Sequence, residues 1–287
     1  MRVLVSFPGR YGDMLWALPA VRALSRRLGH PVALALSAKY GGLAPLLRQQ
    51  PYLEDVWVLP SWEVQETAPM TPRVPPGVIT GADPDEETYD LTLHLGYRGW
   101  PARPLPFETL DCLNAQLPQF PSELELSVAI PERELALDEP WITAPAPYPP
   151  EEVVVGFSDE HFELKVGLVD LLSHHVNLTV CLPPGSRWQT EWRFDDGPGM
   201  DWLDCAALLQ SGPVFFGCCS ALHVLAVALG KPCVIMEPAP ARHADIFYPL
   251  GTTGRVRLVL GGDGKPTWDA RHCRETIEGV LRASLSR

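Results

Sequence analysis

Residues 214–236 constrain the fold more than any other stretch of the chain. They read Val-Phe-Phe-Gly-Cys-Cys-Ser-Ala-Leu-His-Val-Leu-Ala-Val-Ala-Leu-Gly-Lys-Pro-Cys-Val-Ile-Met. An apolar strand is followed by a turn of small residues, a helix carrying His223 near its start, and a second apolar strand. That order is the repeating unit of a parallel α/β sheet, because parallel strands need a helical crossover between them. The amino-terminal end repeats the layout. Arg2 to Phe7 predicts a strand, Pro8-Gly9-Arg10-Tyr11-Gly12-Asp13 a glycine-punctuated turn, and Met14 to Leu28 a helix. In open parallel sheets, ligands collect where a strand ends and a helix begins. Unpaired N–H groups and the helix dipole there attract anions, phosphate above all. Two such turns at opposite ends of the chain predict two doubly wound, Rossmann-like domains facing one cleft.

The remaining pattern fits this division. Strands are predicted at Val32–Ser37, Asp55–Leu59 and Tyr89–Leu95, with helices over Leu43–Gln49 and 107–117. Pro19 falls inside the first helix, where it removes a backbone donor and predicts a kink or the start of a second segment. Residues 61–85 are rich in Pro and Thr without a clear period and predict a long loop. Asp138 to Pro150 is the best linker, its prolines favouring extended chain. It separates an amino-terminal domain (1–140) from a carboxyl-terminal one (151–270). The latter begins with strand Val153–Phe157, a helix near 163–174 and strand Asn177–Leu182. A Pro/Gly/Trp loop to about residue 200 and a helix over 201–210 follow. Residues 271–284 pattern as an amphipathic helix, and the 271–287 end is expected to pack back on the first domain. No internal repeat at a period of about 20–50 residues is present.

Composition excludes several classes. The 287 residues suffice for a substantial core, and 20% charged with 46% hydrophobic content is that of a globular protein. A net charge of −12 disfavours binding along a nucleic-acid backbone. No run of about eighteen apolar residues occurs, so no transmembrane helix is expected. The amino terminus lacks a signal-sequence pattern. The expected location is the cytoplasm, free or peripheral to the inner membrane. Seven cysteines without a Cys-x-x-Cys pair read as reduced thiols, Cys112, Cys181, Cys205, Cys233 and Cys273 standing in apolar patterns. The vicinal Cys218-Cys219 pair is poorly shaped to ligate one zinc, so no metal site is expected. No Asp-x-Asp pair stands at the end of a predicted strand to hold a divalent ion.

The two turns, with their order and spacing, resemble glycosyltransferase family 9, the bacterial heptosyltransferases. Pro8-Gly9-Arg10-Tyr11-Gly12-Asp13 followed by Pro19 matches the opening of that family. The likeness continues through Lys39-Tyr40 and Gln50-Pro51-Tyr52 to the 55–59 strand. It returns over Asp204 to Pro232, ending in Ala226-Val-Ala-Leu-Gly-Lys-Pro232. The resemblance implies a GT-B fold with an acceptor-binding first domain and a nucleotide-sugar donor on the second. It also implies an inverting, metal-independent transferase with no resident cofactor, acting on the hydroxyl of a glycan or other acceptor. Three departures mark the donor turn: the family's Asp, Ser/Thr and Gly fall on Cys218, Cys219 and Ser220. The family's Lys-x-Trp element has only a loose candidate in Lys165, and the 183–200 stretch is short. A donor other than ADP-heptose is therefore expected. The altered turn keeps two other readings open: a degenerate GT-B protein that binds a nucleotide, sugar or protein partner without transfer, and a sugar-nucleotide epimerase.

Transfer from a sugar nucleotide needs a base for the acceptor hydroxyl and donors for the leaving diphosphate. Asp13 is the candidate base; its alternative is a helix N-cap, which Asp fills well. Gly9, Arg10 and Gly12 belong to the acceptor side. At the donor side stand Cys219, Ser220, Ala221 and His223, the histidine either donating to phosphate or packed beneath the turn. Glu237 follows the next strand, where a carboxylate can accept from a ribose. Trp188, Trp192 and Trp202 border the 183–200 loop and can stack on a sugar or anchor the loop. His174-His175 and Gly261-Gly-Asp-Gly264 read as a helix end and a turn.

Overall fold

The computed structural model describes residues 1–7, 9–59, 89–96, 103–119, 128–147, 153–156, 178–181, 201–218, 220–237 and 255–259, and residues 275, 279 and 282 of a carboxyl-terminal helix. The expected loop over 61–85, the helix near 163–174, His174-His175, Lys165, Trp188, Trp192, Cys219, the 261–264 turn and most of 271–284 lie outside the described residues. The chain separates into two compact units. The first holds residues 1–141 with 246–249, the second residues 142–245 with 250–287.

Unit 1 carries β1 (Val3–Phe7), α1 (Tyr11–Leu28), β2 (Val32–Ser37), α2 (Ala44–Leu47), β3 (Leu53–Leu59), β4 (Leu91–His94) and α3 (Leu105–Asn114). Its four strands run parallel in the order β3-β2-β1-β4. β1 and β2 are buried at every residue, as strands covered on both faces must be, which explains their unbroken apolar runs. Helix α1 starts three residues earlier than the apolar pattern suggests and ends at Gly29, whose φ of 73° closes the helix in the left-handed conformation.

Pro19 does not end α1. A proline there leaves the Leu15 carbonyl without its helical donor. The indole Nε1 of the buried Trp141 supplies the missing bond, donating to Leu15 O at 3.0 Å. The two rings of Trp16 and Trp141 lie 5.7 Å apart, and the buried Tyr52 hydroxyl donates to the Trp141 carbonyl at 2.7 Å. Burial raises the Tyr52 pKa, so the phenol stays protonated as that bond requires. Three residues onward from Pro19, the buried Arg22 guanidinium donates to the carbonyls of Leu135, Ala136 and Pro140 at 2.9, 2.8 and 2.7 Å. The proline-rich 131–141 stretch is thereby tied onto α1 as part of unit 1.

Unit 2 carries β5 (Val153–Gly156), β6 (Leu178–Cys181), α4 (Trp202–Ser211), β7 (Phe215–Cys218), α5 (Ala221–Ala228), β8 (Cys233–Glu237) and β9 (Arg255–Val259). Its five strands are parallel in the order β6-β5-β7-β8-β9. The strand–helix–strand order read in 214–236 is thus observed, as β7, α5 and β8. Trp202 is buried at the first position of α4, a core anchor of this unit. Cys112, Cys205 and Cys233 are in no disulfide. Among the described residues no helix is long and apolar enough to cross a membrane.

Candidate functional site

Each sheet has one place where successive connections leave in opposite directions. In unit 1 the chain passes from β1 to β2 on one side, and β4 then pairs with β1 on the other. In unit 2 it passes from β5 to β6 on one side, and β7 then pairs with β5 on the other. The crevice outside the carboxyl ends of those central strands is where open α/β sheets bind ligands. Both turns singled out in the sequence sit there: 9–13 after β1, and 218–220 after β7.

At the unit 1 turn, Asp13 is the third residue of α1, half-buried, while Arg10 occupies the cap position and makes no side-chain cap bond. The cap is therefore not Asp13. The Asp13 β-carbon stands close to Gly9. A β-carbon built on Gly9 would lie 3.0 Å from the Asp13 Cβ and 2.1 Å from the Phe7 ring, so only glycine fits between them. Arg10 is exposed, and Gly12 is the second residue of α1. At the neighbouring strand end, Tyr11 and Tyr40 meet edge to face at 4.9 Å, and the exposed Lys39 lies 5.8 Å over the Tyr40 ring.

One pair at this edge escaped the sequence reading. Ser6 on β1 and His94 on β4 are register partners, and Ser6 Oγ lies 2.6 Å from His94 Nδ1. The His94 backbone is gripped by Gln116, which accepts from its N–H at 2.9 Å and donates to its carbonyl at 2.7 Å. Burial lowers the His94 pKa, favouring the neutral ring. A strand-final histidine after apolar residues carries no sequence signal of its own; only the register brings Ser6 to it.

At the unit 2 turn the sheet offers backbone rather than side chains. Gly156 on β5 is the register partner of Gly217 on β7. Helix α5 opens immediately beyond, with Ser220 at its cap and Ala221 first in the helix. Ser220 Oγ accepts from the His223 N–H at a long 3.4 Å. His223 is wholly buried within α5. By contrast α4 is closed by a full capping box, Asp201 accepting from the N–H groups of Leu203 and Asp204 at 2.8 Å each. Glu237 ends β8, next to β7 in the sheet. Among the described residues no group of three His, Cys, Asp or Glu side chains is placed to hold a metal ion.

Over its full length the chain superposes on solved glycosyltransferases. Heptosyltransferase II of E. coli matches with a TM-score of 0.62 at 15% identity, covering 99% of both chains. A glycosyl transferase of family 9 from Veillonella parvula matches with a TM-score of 0.61 at 10% identity, covering 98% of this chain and 97% of its own. E. coli heptosyltransferase WaaC with ADP matches with a TM-score of 0.60 at 15% identity, over 98% of this chain and 100% of its own. The fold is GT-B, of the heptosyltransferase kind. At TM-score 0.50 it also resembles the iron-containing dodecameric glycosyltransferase TibC of E. coli. No protein-family model matches the chain, and no curated protein matches it by sequence. At these identities the likeness establishes the fold and leaves the chemistry to the residues.

Proposed function

We propose that this protein is a glycosyltransferase that moves a sugar from a nucleotide-sugar donor to an acceptor hydroxyl with inversion and without a metal ion. The observation that carries the reading is Asp13, seated on Gly9 in the first turn of the helix that leaves the unit 1 switch point. A carboxylate there is favoured in its ionised form by the helix amino terminus and can accept a proton. In the reaction Asp13 takes the proton of the acceptor hydroxyl as its oxygen attacks the anomeric carbon. The bond from that carbon to the diphosphate oxygen breaks on the opposite face, so a single displacement inverts the centre. The leaving diphosphate is met by the N–H groups of Ala221 and its neighbours, with the hydroxyl of Ser220, at the α5 start. Cys219 completes that turn, His223 supports it or reaches the phosphate, and Glu237 accepts from the ribose. Arg10, with the Gly9 and Gly12 backbone, faces the acceptor. Inverting the anomeric centre in one step needs no divalent ion when N–H groups take the leaving charge.

Heptosyltransferase WaaC has been solved with ADP and with an ADP-heptose analogue, which supports a nucleotide-sugar donor here. The altered 218–220 turn supports a donor other than ADP-heptose. The acceptor is a glycan or similar hydroxyl compound, met in the cytoplasm or at the inner-membrane surface. The same altered turn favours a second reading, a protein that binds a nucleotide sugar and transfers nothing.

A thermal-shift screen of nucleotide sugars separates these readings, since a ligand held at about a hundred times its dissociation constant stabilises by about 2.7 kcal/mol. The transferase reading expects one nucleotide sugar to raise the melting temperature and its labelled sugar to appear on an acceptor, with EDTA without effect. Binding without transfer to any acceptor selects the second reading. A rate abolished by EDTA and restored by magnesium or manganese overturns the metal-free mechanism.

A further inference from the structure

The Ser6–His94 pair has geometry that the transfer reaction above does not use. Both residues stand at the carboxyl ends of the two strands that flank the unit 1 switch point, in register with each other. Ser6 is buried and His94 only partly so. A separation of 2.6 Å is a short hydrogen bond between the hydroxyl and the ring nitrogen. The competing acceptor for the Ser6 hydroxyl, the Leu93 carbonyl, is 3.4 Å away. In the tautomer that carries the ring proton on Nε2, Ser6 donates to Nδ1. Nε2 has no hydrogen-bond partner among the described residues. The cross-strand row through this pair reads Trp57, Ala35, Ser6, His94. With His94 neutral the row holds no charged side chain. With the Trp57 indole N–H taken by the Tyr89 hydroxyl at 2.8 Å, it offers one further uncharged N–H donor, which suits a sugar hydroxyl better than a phosphate.

We propose that His94 is an acceptor-sugar binding residue whose Nε2–H donates to a sugar hydroxyl, and that Ser6 is the positioning residue that fixes its tautomer. The inference rests on the transferase reading for the role of the bound sugar, and on the Ser6–His94 geometry for the site. Burial, which keeps the ring neutral near pH 7, agrees with it.

Two measurements on the full chain test it. In ¹⁵N-histidine-labelled protein, two-bond ¹H–¹⁵N correlation should find His94 protonated at Nε2 and bare at Nδ1, with the preference lost in Ser6→Ala. A ring protonated at Nδ1 overturns the assignment. Titration with methyl glycosides of glucose, galactose and mannose should then shift the His94 signals saturably for at least one of them. A glutamine amide can reach where Nε2 lies and an asparagine amide cannot. By tryptophan fluorescence, affinity for that glycoside should hold within about twofold in His94→Gln and fall about fivefold in His94→Asn, the worth of one net hydrogen bond. No saturable shift with any glycoside, or equal affinities in the two variants, overturns the sugar-binding role. Glycoside binding that follows this pattern in a protein that transfers no sugar keeps the inference and removes only the transferase reading.

Discussion

The two units are both doubly wound but differ in strand order, β3-β2-β1-β4 against β6-β5-β7-β8-β9, and they equip their switch points in opposite ways. At the unit 1 switch point the strand ends carry side chains with chemistry: Ser6 paired with His94, and Asp13 beyond Gly9. At the unit 2 switch point the register partners are glycines, Gly156 and Gly217, and the first helical residue beyond them is an alanine. One site presents groups that accept or donate protons. The other, among the described residues, has paired glycines where side chains would stand. The helix starts make the same distinction. Helix α4, away from either switch point, is closed by the Asp201–Asp204 box, whereas α1 has no side-chain cap and α5 only a long one from Ser220. The two switch points thus differ in whether side chains or backbone stand at the strand ends.

The comparison breaks most visibly at Asp13. If unit 1 holds the base, Asp13→Asn should lower turnover by about a hundredfold or more, the usual scale for a general base. Because Arg10 rather than Asp13 occupies the cap position, the melting temperature of the variant should stay near wild type. Comparable turnover in the two proteins would remove the base from unit 1.

Gly9→Ala probes the seat of that carboxylate. The added carbon must displace the buried Phe7 ring or the Asp13 side chain, and overpacking of this kind costs about 1–3 kcal/mol. Urea denaturation should show that loss, with turnover falling alongside. Unchanged stability would mean the turn yields and Gly9 is not required.

The contrast in helix caps is sharpened by two alanines. Asp201→Ala should cost about 1 kcal/mol, the usual worth of a good cap, while Ser220→Ala should cost less because its bond is long. Chemical denaturation of both variants checks the order; the reverse order would make Ser220 an ordinary structural cap.

The smallest effect is one of pH. His94 has a pKa below its ordinary 6.5, so the unfolded chain binds the proton more readily than the native one. Stability present above pH 6.5 is then lost as pH falls below it. The drop in melting temperature between pH 7.5 and 5.5 should be smaller in His94→Gln than in wild type. An equal drop would show that His94 does not contribute.

How far the sequence foretold this differs between levels. Strand order in 214–236 and the β2 limits were legible because fully buried strands are short apolar runs bounded by turn residues. Pro19 lies inside one continuous helix, and the bond it removes is replaced by Trp141, whose indole reaches the orphaned Leu15 carbonyl from a residue remote in sequence. Asp13 was found as a turn residue, but that it stands third in the helix depends on where α1 begins. His94 was invisible for a different reason. Its partner Ser6 is set by parallel register across 88 positions, and nothing local encodes that.

The central claim is that unit 1 performs the proton transfer and unit 2 holds the nucleotide. Calorimetric titration with whichever of ADP, UDP, GDP and dTDP binds wild type most tightly tests it directly. Asp13→Asn should bind that nucleotide with wild-type affinity, while Ser220→Ala should bind it about tenfold or more weakly, as one lost hydrogen bond to a charged oxygen implies. If Asp13→Asn loses nucleotide binding and Ser220→Ala keeps it, the assignment of the two switch points is contradicted.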